Sequence, residues 1–186
     1  MNAIIEYFNK PLLKVSLLFG LLTGVLVFVF FIGLYLIGIV PLGNNKILDF
    51  GIHIILIAFA CWYYRKKVGN GFLHIWEALT IGYVVNTFGS LIAGWLIYFF
   101  VTYMDPAIFT EYIAQMKTLM LNGRAELVKN IGNAEFQKMF NEVGNMQPSG
   151  IIMDEVSKKT VMAIIPILVI SLIFRKQDYS VFGNKP

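Results

Sequence analysis

From Val15 to Asn45 the chain runs 31 residues without a charge. An α-helix needs only about 20 apolar residues to cross a hydrocarbon core of about 30 Å. Pro41, Gly43 and Asn44-Asn45 close the run, so a first span is predicted over about 14–40. A second apolar run, 47–64, stops at Arg65-Lys66-Lys67, and Gly69-Asn70-Gly71 makes the turn. A third span, 77–104, holds 27 uncharged residues from Ala78 to Met104. It ends at Asp105-Pro106, which reads as an N-cap with proline at the first position of the next helix. The fourth run, Thr160 to Phe174, has 15 uncharged residues, about 22 Å of helix and too short alone. It suffices if the span is 151–174, with its charged first turns at the interface. Asp154 with Lys158, and Glu155 with Lys159, are acid-before-base pairs four apart, the favourable helical order. Their lysines are expected to snorkel, and Pro166 should kink the span.

Residues 105–150 differ in kind. Ile108, Phe109, Tyr112, Ile113, Met116, Leu119 and Met120 recur at helical spacing among polar residues. Asn122-Gly123 breaks that run. Leu127, Val128 and Ile131 form a second amphipathic stretch, and Phe136, Met139, Phe140 and Val143 a third after Gly132-Asn133. Two or three short amphipathic helices fit, lying on the bilayer or on the bundle. Residues 1–11 carry Ile4, Ile5 and Phe8 on one face, an interfacial helix ended by Pro11. The expected fold is therefore an all-α integral membrane protein: a single membrane domain over 1–186 with four transmembrane helices and an amphipathic helical insert between helices 3 and 4.

Composition agrees. The chain is 58% hydrophobic and 14% charged, with a mean hydropathy of +0.70. Soluble domains are nearer a quarter charged, so lipid must cover this surface. Four spans and a modest insert fill the chain and leave no room for a soluble catalytic domain. The apolar start is too long for a signal-peptide core and lacks a small-residue cleavage site, so it reads as a retained anchor. Cys61 is the single cysteine and forms no internal disulfide.

The net charge is +4, but the bases cluster beside apolar runs, as topology signals do, and form no continuous face for nucleic acid. Arg65-Lys66-Lys67 and Arg175-Lys176 flank spans on one side. The short loop on the other side holds only Lys46, and the long one holds six bases against seven acids. Trp62, Tyr63, Tyr64 and Trp76 mark one boundary, Tyr98 and Tyr103 the other. Both termini are thus expected in the cytoplasm.

Polar residues inside spans are the first candidates for chemistry, because lipid makes them costly. Asp49 and His53 are four apart on one face. Counted from Arg65, His53 lies about 18 Å deep and Asp49 about 24 Å. Asn86, counted from Glu77, lies about 13 Å deep, comparable with His53. One reading is a polar site in which Asp49 orients His53 opposite Asn86, as in a proton relay or ligand pocket. The other has Asp49 reaching interfacial water while His53 and Asn86 are interhelical packing groups. The second is favoured because no other acid or base is evident at that depth. In both, His53 and Asn86 face each other. A second candidate group, Glu77, His74 and Arg65, sits at the cytoplasmic face. Glu77 there serves either as an acid or, more simply, as the complement of a helix N-terminus paired with nearby bases. Gly20 and Gly24 form a small-xxx-small face for helix packing. No catalytic residue, metal site or cofactor is indicated: two distant histidines without clustered carboxylates make a poor metal site, and no phosphate-cradling loop is present.

The stretch Arg65-Lys66-Lys67 to Gly71-Phe72, then Glu77-Ala78, Gly82, Tyr98 and Asp105-Pro106 with Phe109, followed by an amphipathic insert and Leu172-Ile173-Phe174-Arg175-Lys176, resembles the domain-of-unknown-function family 4199. The resemblance implies a four-span inner-membrane protein of Bacteroidota-type bacteria with no assigned catalytic residues, in an accessory role beside an envelope machine or a lipid-linked glycosylation enzyme. Three functions stay open. A non-enzymatic accessory subunit, meeting membrane lipid and either another envelope protein or a second copy, expects a solid apolar bundle. A small transporter or lipid-handling protein expects a polar path between helices. An enzyme acting on lipid-linked head groups expects Glu77, His74 and Arg65 to converge.

Overall fold

The computed structural model describes residues 10–176. The interfacial helix expected over 1–11 lies almost wholly outside them. Four long helices carry the fold: α1 (Pro11–Leu36), α2 (Phe50–Lys67), α3 (Ile75–Phe99) and, last in the chain, α7 (Gly150–Phe174). All four segments are long and apolar enough to cross a membrane, α2 with the turn before it and α3 with the turn after it. The protein is an all-α membrane protein with four spans. Leu18, Val29, Phe59, Val161 and Ile165 point outward and exposed, as expected of spans that meet lipid.

Between α3 and α7 lie α4 (Ala107–Asn122), α5 (Arg124–Ile131) and α6 (Asn133–Gly144). Their breaks fall at Gly123 and Gly132, the latter with a φ of 85° that glycine alone adopts cheaply. Only α4 joins the bundle core: Ile108 and Tyr112 pack with Phe31, Ile97, Val101 and Ile151. The three insert helices bury Phe136 among themselves, under the Arg124 guanidinium at 5.6 Å.

Several boundaries move. α1 begins at Pro11, which sits in the first turn where its missing N–H is harmless. It ends at Leu36, four residues earlier than expected, because Gly38 turns left-handed at φ 75° and the Ile39 N–H bonds back to the Leu34 carbonyl at 3.0 Å. Residues Asn44–Asp49 form a 3-10 turn leading into α2, and α2 continues through the basic triad to Lys67. α3 passes into a π turn, Phe100–Met104, closed by the Asp105 N–H on the Phe100 carbonyl at 3.1 Å. The Asp105 carboxylate accepts from the Ala107 N–H at 3.1 Å and from the Tyr35 hydroxyl at 3.1 Å, capping α4 and tying it to α1. α7 starts at Gly150 and runs through Pro166, long enough to span as its charged first turns required.

α3 is the hub, packed chiefly on α1 and α7, with α2 closing the group. Its buried face is mostly small: Ala78, Gly82, Gly89, Ser90, Ala93 and Gly94. Gly20 and Gly24 of α1 meet this face. A Cβ on Gly24 would lie 2.6 Å from the Ile92 Cβ and 2.8 Å from the Gly89 carbonyl, and one on Gly89 would lie 2.9 Å from the Thr23 Cβ. Close backbone approach gives the dispersion contact that holds helices together in lipid. Hydroxyls buried at this contact satisfy themselves within their own helices: Thr23 donates to the Phe19 carbonyl at 2.7 Å and Ser90 to the Asn86 carbonyl at 2.8 Å.

Two apolar cores result. One joins Ile57, Tyr64, Ile81, Val85, Ala163 and Ile167 toward the basic end. The other joins Phe31, Ile97, Val101, Ile151 and the face of α4. Along the 3-10 turn, α2, α3 and α7 the residues between these cores include Asp49, His53, Asn86, Ser90, Glu155 and Lys159, all buried.

Candidate functional site

Two short sequence segments meet at that polar layer. The 3-10 turn before α2 presents Lys46 and Asp49 three apart, and the first turns of α7 present Glu155 and Lys159 four apart. Lys46 contacts Asp49 at 3.3 Å and also pairs with Glu155. Lys159 pairs with Asp49 and lies 3.9 Å from Glu155. The four side chains therefore close a ring of alternating sign, each ammonium between two carboxylates. Asp49 is 1% exposed, and the other three are under 10%. Burying four charges is costly, and mutual attraction offsets this only when each finds opposite partners. The ring meets that condition with no net charge.

This arrangement corrects three expectations. Asp49 does not reach interfacial water. Lys159 does not snorkel: its ammonium turns inward to Asp49. The statement that no other acid or base lies at the depth of Asp49 also fails, since Glu155 and Lys159 share it. A signal was present in the sequence. Asp49 lies 16 residues before Arg65, and Lys159 lies 16 before Arg175, so two spans ending together at one boundary put both near 24 Å depth.

His53 and Asn86 are brought together behind the ring, both fully buried, and Asn86 interacts with the imidazole. Neither ring nitrogen nor either amide atom makes a hydrogen bond of good geometry. Asp49 spends its oxygens on the lysines, so it does not orient His53 by a hydrogen bond. It acts on it through charge, as do Lys159 and Lys46. Phe50 stacks on the imidazole at 6.0 Å.

The cytoplasmic-face candidates do not converge. Glu77 accepts from the His74 backbone N–H at 2.8 Å and from the Tyr64 hydroxyl at 3.1 Å. It caps its helix as expected, but among the described residues it pairs with no base. Arg65 turns away, donating to the Phe174 carbonyl at 3.2 Å with its guanidinium 5.8 Å over the Phe174 ring. It thereby satisfies the C-terminus of α7. Leu73 and Lys176 exchange both backbone bonds at 2.9 Å, locking the α2–α3 turn to the end of α7.

Above the ion ring lies a cavity of about 770 Å³, between α4, the 3-10 turn and the start of α7. The ring forms its charged side. Ile39, Leu42, Ile47, Met116, Met146 and Ile151 supply apolar wall, and Tyr112, Gln115, Asp154 and Lys158 add polar groups. Lys158 donates to Asp154 at 2.7 Å and is 60% exposed at its side chain. Burial raises the Tyr112 phenol above its ordinary pKa, the nearby Lys158 opposing the shift, so the hydroxyl is a neutral donor in ordinary buffers. The volume lies in the range of ligand pockets, and the lining is the usual mixture of apolar surface and a few convergent polar groups. Chemically, the site can hold a molecule with one charged end and one greasy end.

The family model described as "Protein of unknown function (DUF4199)" matches residues 18–176. No curated protein and no solved structure matches the chain.

Proposed function

The chain belongs to the family of proteins of unknown function DUF4199, and on that premise we propose that it is a lipid-handling protein of the bacterial inner membrane that binds an amphiphilic molecule in the cavity under α4. The observation that carries this reading is the cavity itself: about 770 Å³ with an apolar wall and a buried, neutral ring of Lys46, Asp49, Glu155 and Lys159. A purely structural bundle has no use for such a space, since an unfilled pocket forfeits dispersion contact. The bases at the Arg65-Lys66-Lys67 and Arg175-Lys176 end support a cytoplasmic side there. The cavity then opens near the outer head-group level. Of the other roles, an accessory subunit expected a solid apolar bundle, and a head-group enzyme expected Arg65 and Glu77 to meet. Of the three cytoplasmic-face residues, Glu77 meets His74 while Arg65 turns to Phe174, and the cavity favours lipid binding over the accessory role.

The test is purification of the tagged full chain in mild detergent, followed by native mass spectrometry and lipid extraction. One amphiphile per protein is expected, and Ala114→Trp, which projects a ring from α4 over the cavity, should release it without unfolding the bundle. Protein recovered free of lipid would overturn the reading. A stoichiometric protein partner with an empty cavity would restore the accessory-subunit role.

A further inference from the structure

The polar groups that line the cavity are not equally free to meet its occupant. The four ring side chains are taken up with one another. Thr118 donates to the Ala114 carbonyl of its own helix at 2.9 Å. Glu111 and Gln115 stand exposed, where water satisfies them. Tyr112 differs. It is only 8% exposed, and among the described residues its hydroxyl has no hydrogen-bond partner. That hydroxyl lines the cavity without being sealed off as the His53 nitrogens are. A phenol proton left undonated in a poorly hydrated place is costly, so the group calls for an acceptor. Lys158 supplies a second donor. It lines the same cavity, and its charge bears on the Tyr112 phenol more than those of Asp154, Lys46 or Glu155. Its ammonium makes one hydrogen bond, to Asp154, out of the three it can donate. The Lys158 side chain is 60% exposed, so the ammonium is within reach of a ligand.

We propose that Tyr112 and Lys158 form an oxyanion site at the cavity mouth, the hydroxyl and the ammonium both donating to a carboxylate or phosphoryl group of the bound amphiphile. This rests on the amphiphile-binding reading above and adds which head the cavity retains. An ammonium head could only donate to the phenol oxygen, leaving the phenol proton undonated, and it would meet the Lys158 charge. An uncharged hydroxyl head gives Tyr112 a partner but offers the Lys158 ammonium no opposite charge. An oxyanion satisfies both, and a hydrogen bond to an ionised acceptor is about twice as strong as a neutral one. The acids beside the site, Glu111 and Asp154, oppose this little. Both reach water, Asp154 with 37% of its side chain exposed, and exposed charges act weakly. Asp154 also holds the Lys158 ammonium at 2.7 Å, which fixes the donor at the rim. The wall residues Leu42, Met116 and Ile151 receive the start of the apolar chain.

The experiment compares amphiphiles that share a chain and differ in the head: oleate, oleyl alcohol and oleylamine, with phosphatidylglycerol against diacylglycerol as the phosphoryl series. The full-length protein is stripped of lipid in a non-ionic detergent at about pH 8, where a carboxyl is ionised and a phenol protonated. Retention is read by native mass spectrometry. Oleate should be retained over the alcohol and the amine by about tenfold, the scale of one hydrogen bond to a charged group. Tyr112→Phe and Lys158→Gln should each bring that ratio toward unity. Thr118→Val, which removes a hydroxyl already bonded within α4, should leave it unchanged. A variant that merely loosens the fold lowers retention of every head together and does not move the ratio. An anion advantage in either series supports the site, and the larger one names carboxylate or phosphoryl as its source. Equal retention of the heads, preference for the amine, or an anion advantage that survives both substitutions overturns the oxyanion site while the cavity reading stands. Retention of no amphiphile at all overturns both.

Discussion

At the scale of single residues, the ion ring carries the sharpest energetic consequences. Each member is nearly enclosed, so removing one leaves its neighbours charged and short of a partner, a loss of about 3–5 kcal/mol. Lys159→Met should therefore destabilise the protein strongly, while Lys159→Met combined with Asp49→Asn should recover much of the loss. Unfolding in detergent by denaturant gives the comparison, and additive losses would show that the two do not interact. Tyr112 gives a pH test. Burial holds its folded pKa above the ordinary value of about 10. The stability it contributes is thus complete below about pH 10 and is lost as pH rises through the folded value. Tyr112→Phe should flatten the alkaline fall in unfolding midpoint relative to the native protein, and parallel curves would count against a buried phenol. Asp49 and His53 were visible in the sequence as polar residues in a span. Lys46, Glu155 and Lys159 were also visible, but only as local charge pairs. Spacing along one helix says which neighbours are three or four residues apart, and nothing about which other helix end lies across the gap.

At the scale of elements, the contact between α1 and α3 is set by absence of side chain. Gly24 and Gly89 let the two backbones approach, and Gly24→Leu would drive a branched side chain into Ile92 and the Gly89 carbonyl. Overpacking costs about 1–3 kcal/mol when neighbours can shift and more against backbone. Gly33→Leu, on the same helix with nothing within 4 Å of its added Cβ, is the matched control. Thermal unfolding should separate the two variants, and equal midpoints would remove the close contact. The spans themselves were plain from charge-free length, and the insert helices from apolar residues recurring at helical spacing. Helix ends were less legible. α1 stops at a left-handed glycine well before Pro41, and α3 unwinds into a π turn. Termini depend on which carbonyls find partners in the folded chain, as Arg65 does for α7 and Asp105 for α4.

At the scale of the whole molecule, the bundle has a basic end, tied by Leu73, Lys176 and Arg65, and an insert end, roofed by α4. The charge asymmetry predicts opposite sides of the membrane for them. Single cysteines introduced at Asn70 and at Asn130 on a Cys61→Ala background should react with an impermeant maleimide differently in intact cells: Asn130 labelled, Asn70 protected. The reverse pattern would invert the orientation, and labelling of both in intact cells would contradict four spans. The polar layer between two apolar cores is a property of this scale alone. It forms because α2 and α7, which never adjoin in the chain, lie side by side with their charged turns at equal depth.

The sequence by itself determined that the fold is all-α with four membrane spans, that an amphipathic insert separates the last two, and which residues were too polar to be ordinary lipid-facing positions. These follow from periodicity and solvation, which act on each segment separately. Only the tertiary structure decided that Arg65 caps a distant helix, that Glu77 holds Tyr64, that His53 and Asn86 lie behind a closed ion ring, and that α4 roofs a cavity over it. Those outcomes depend on which segments pack together, and in lipid that choice is made by small differences in close contact and charge pairing that no single segment contains.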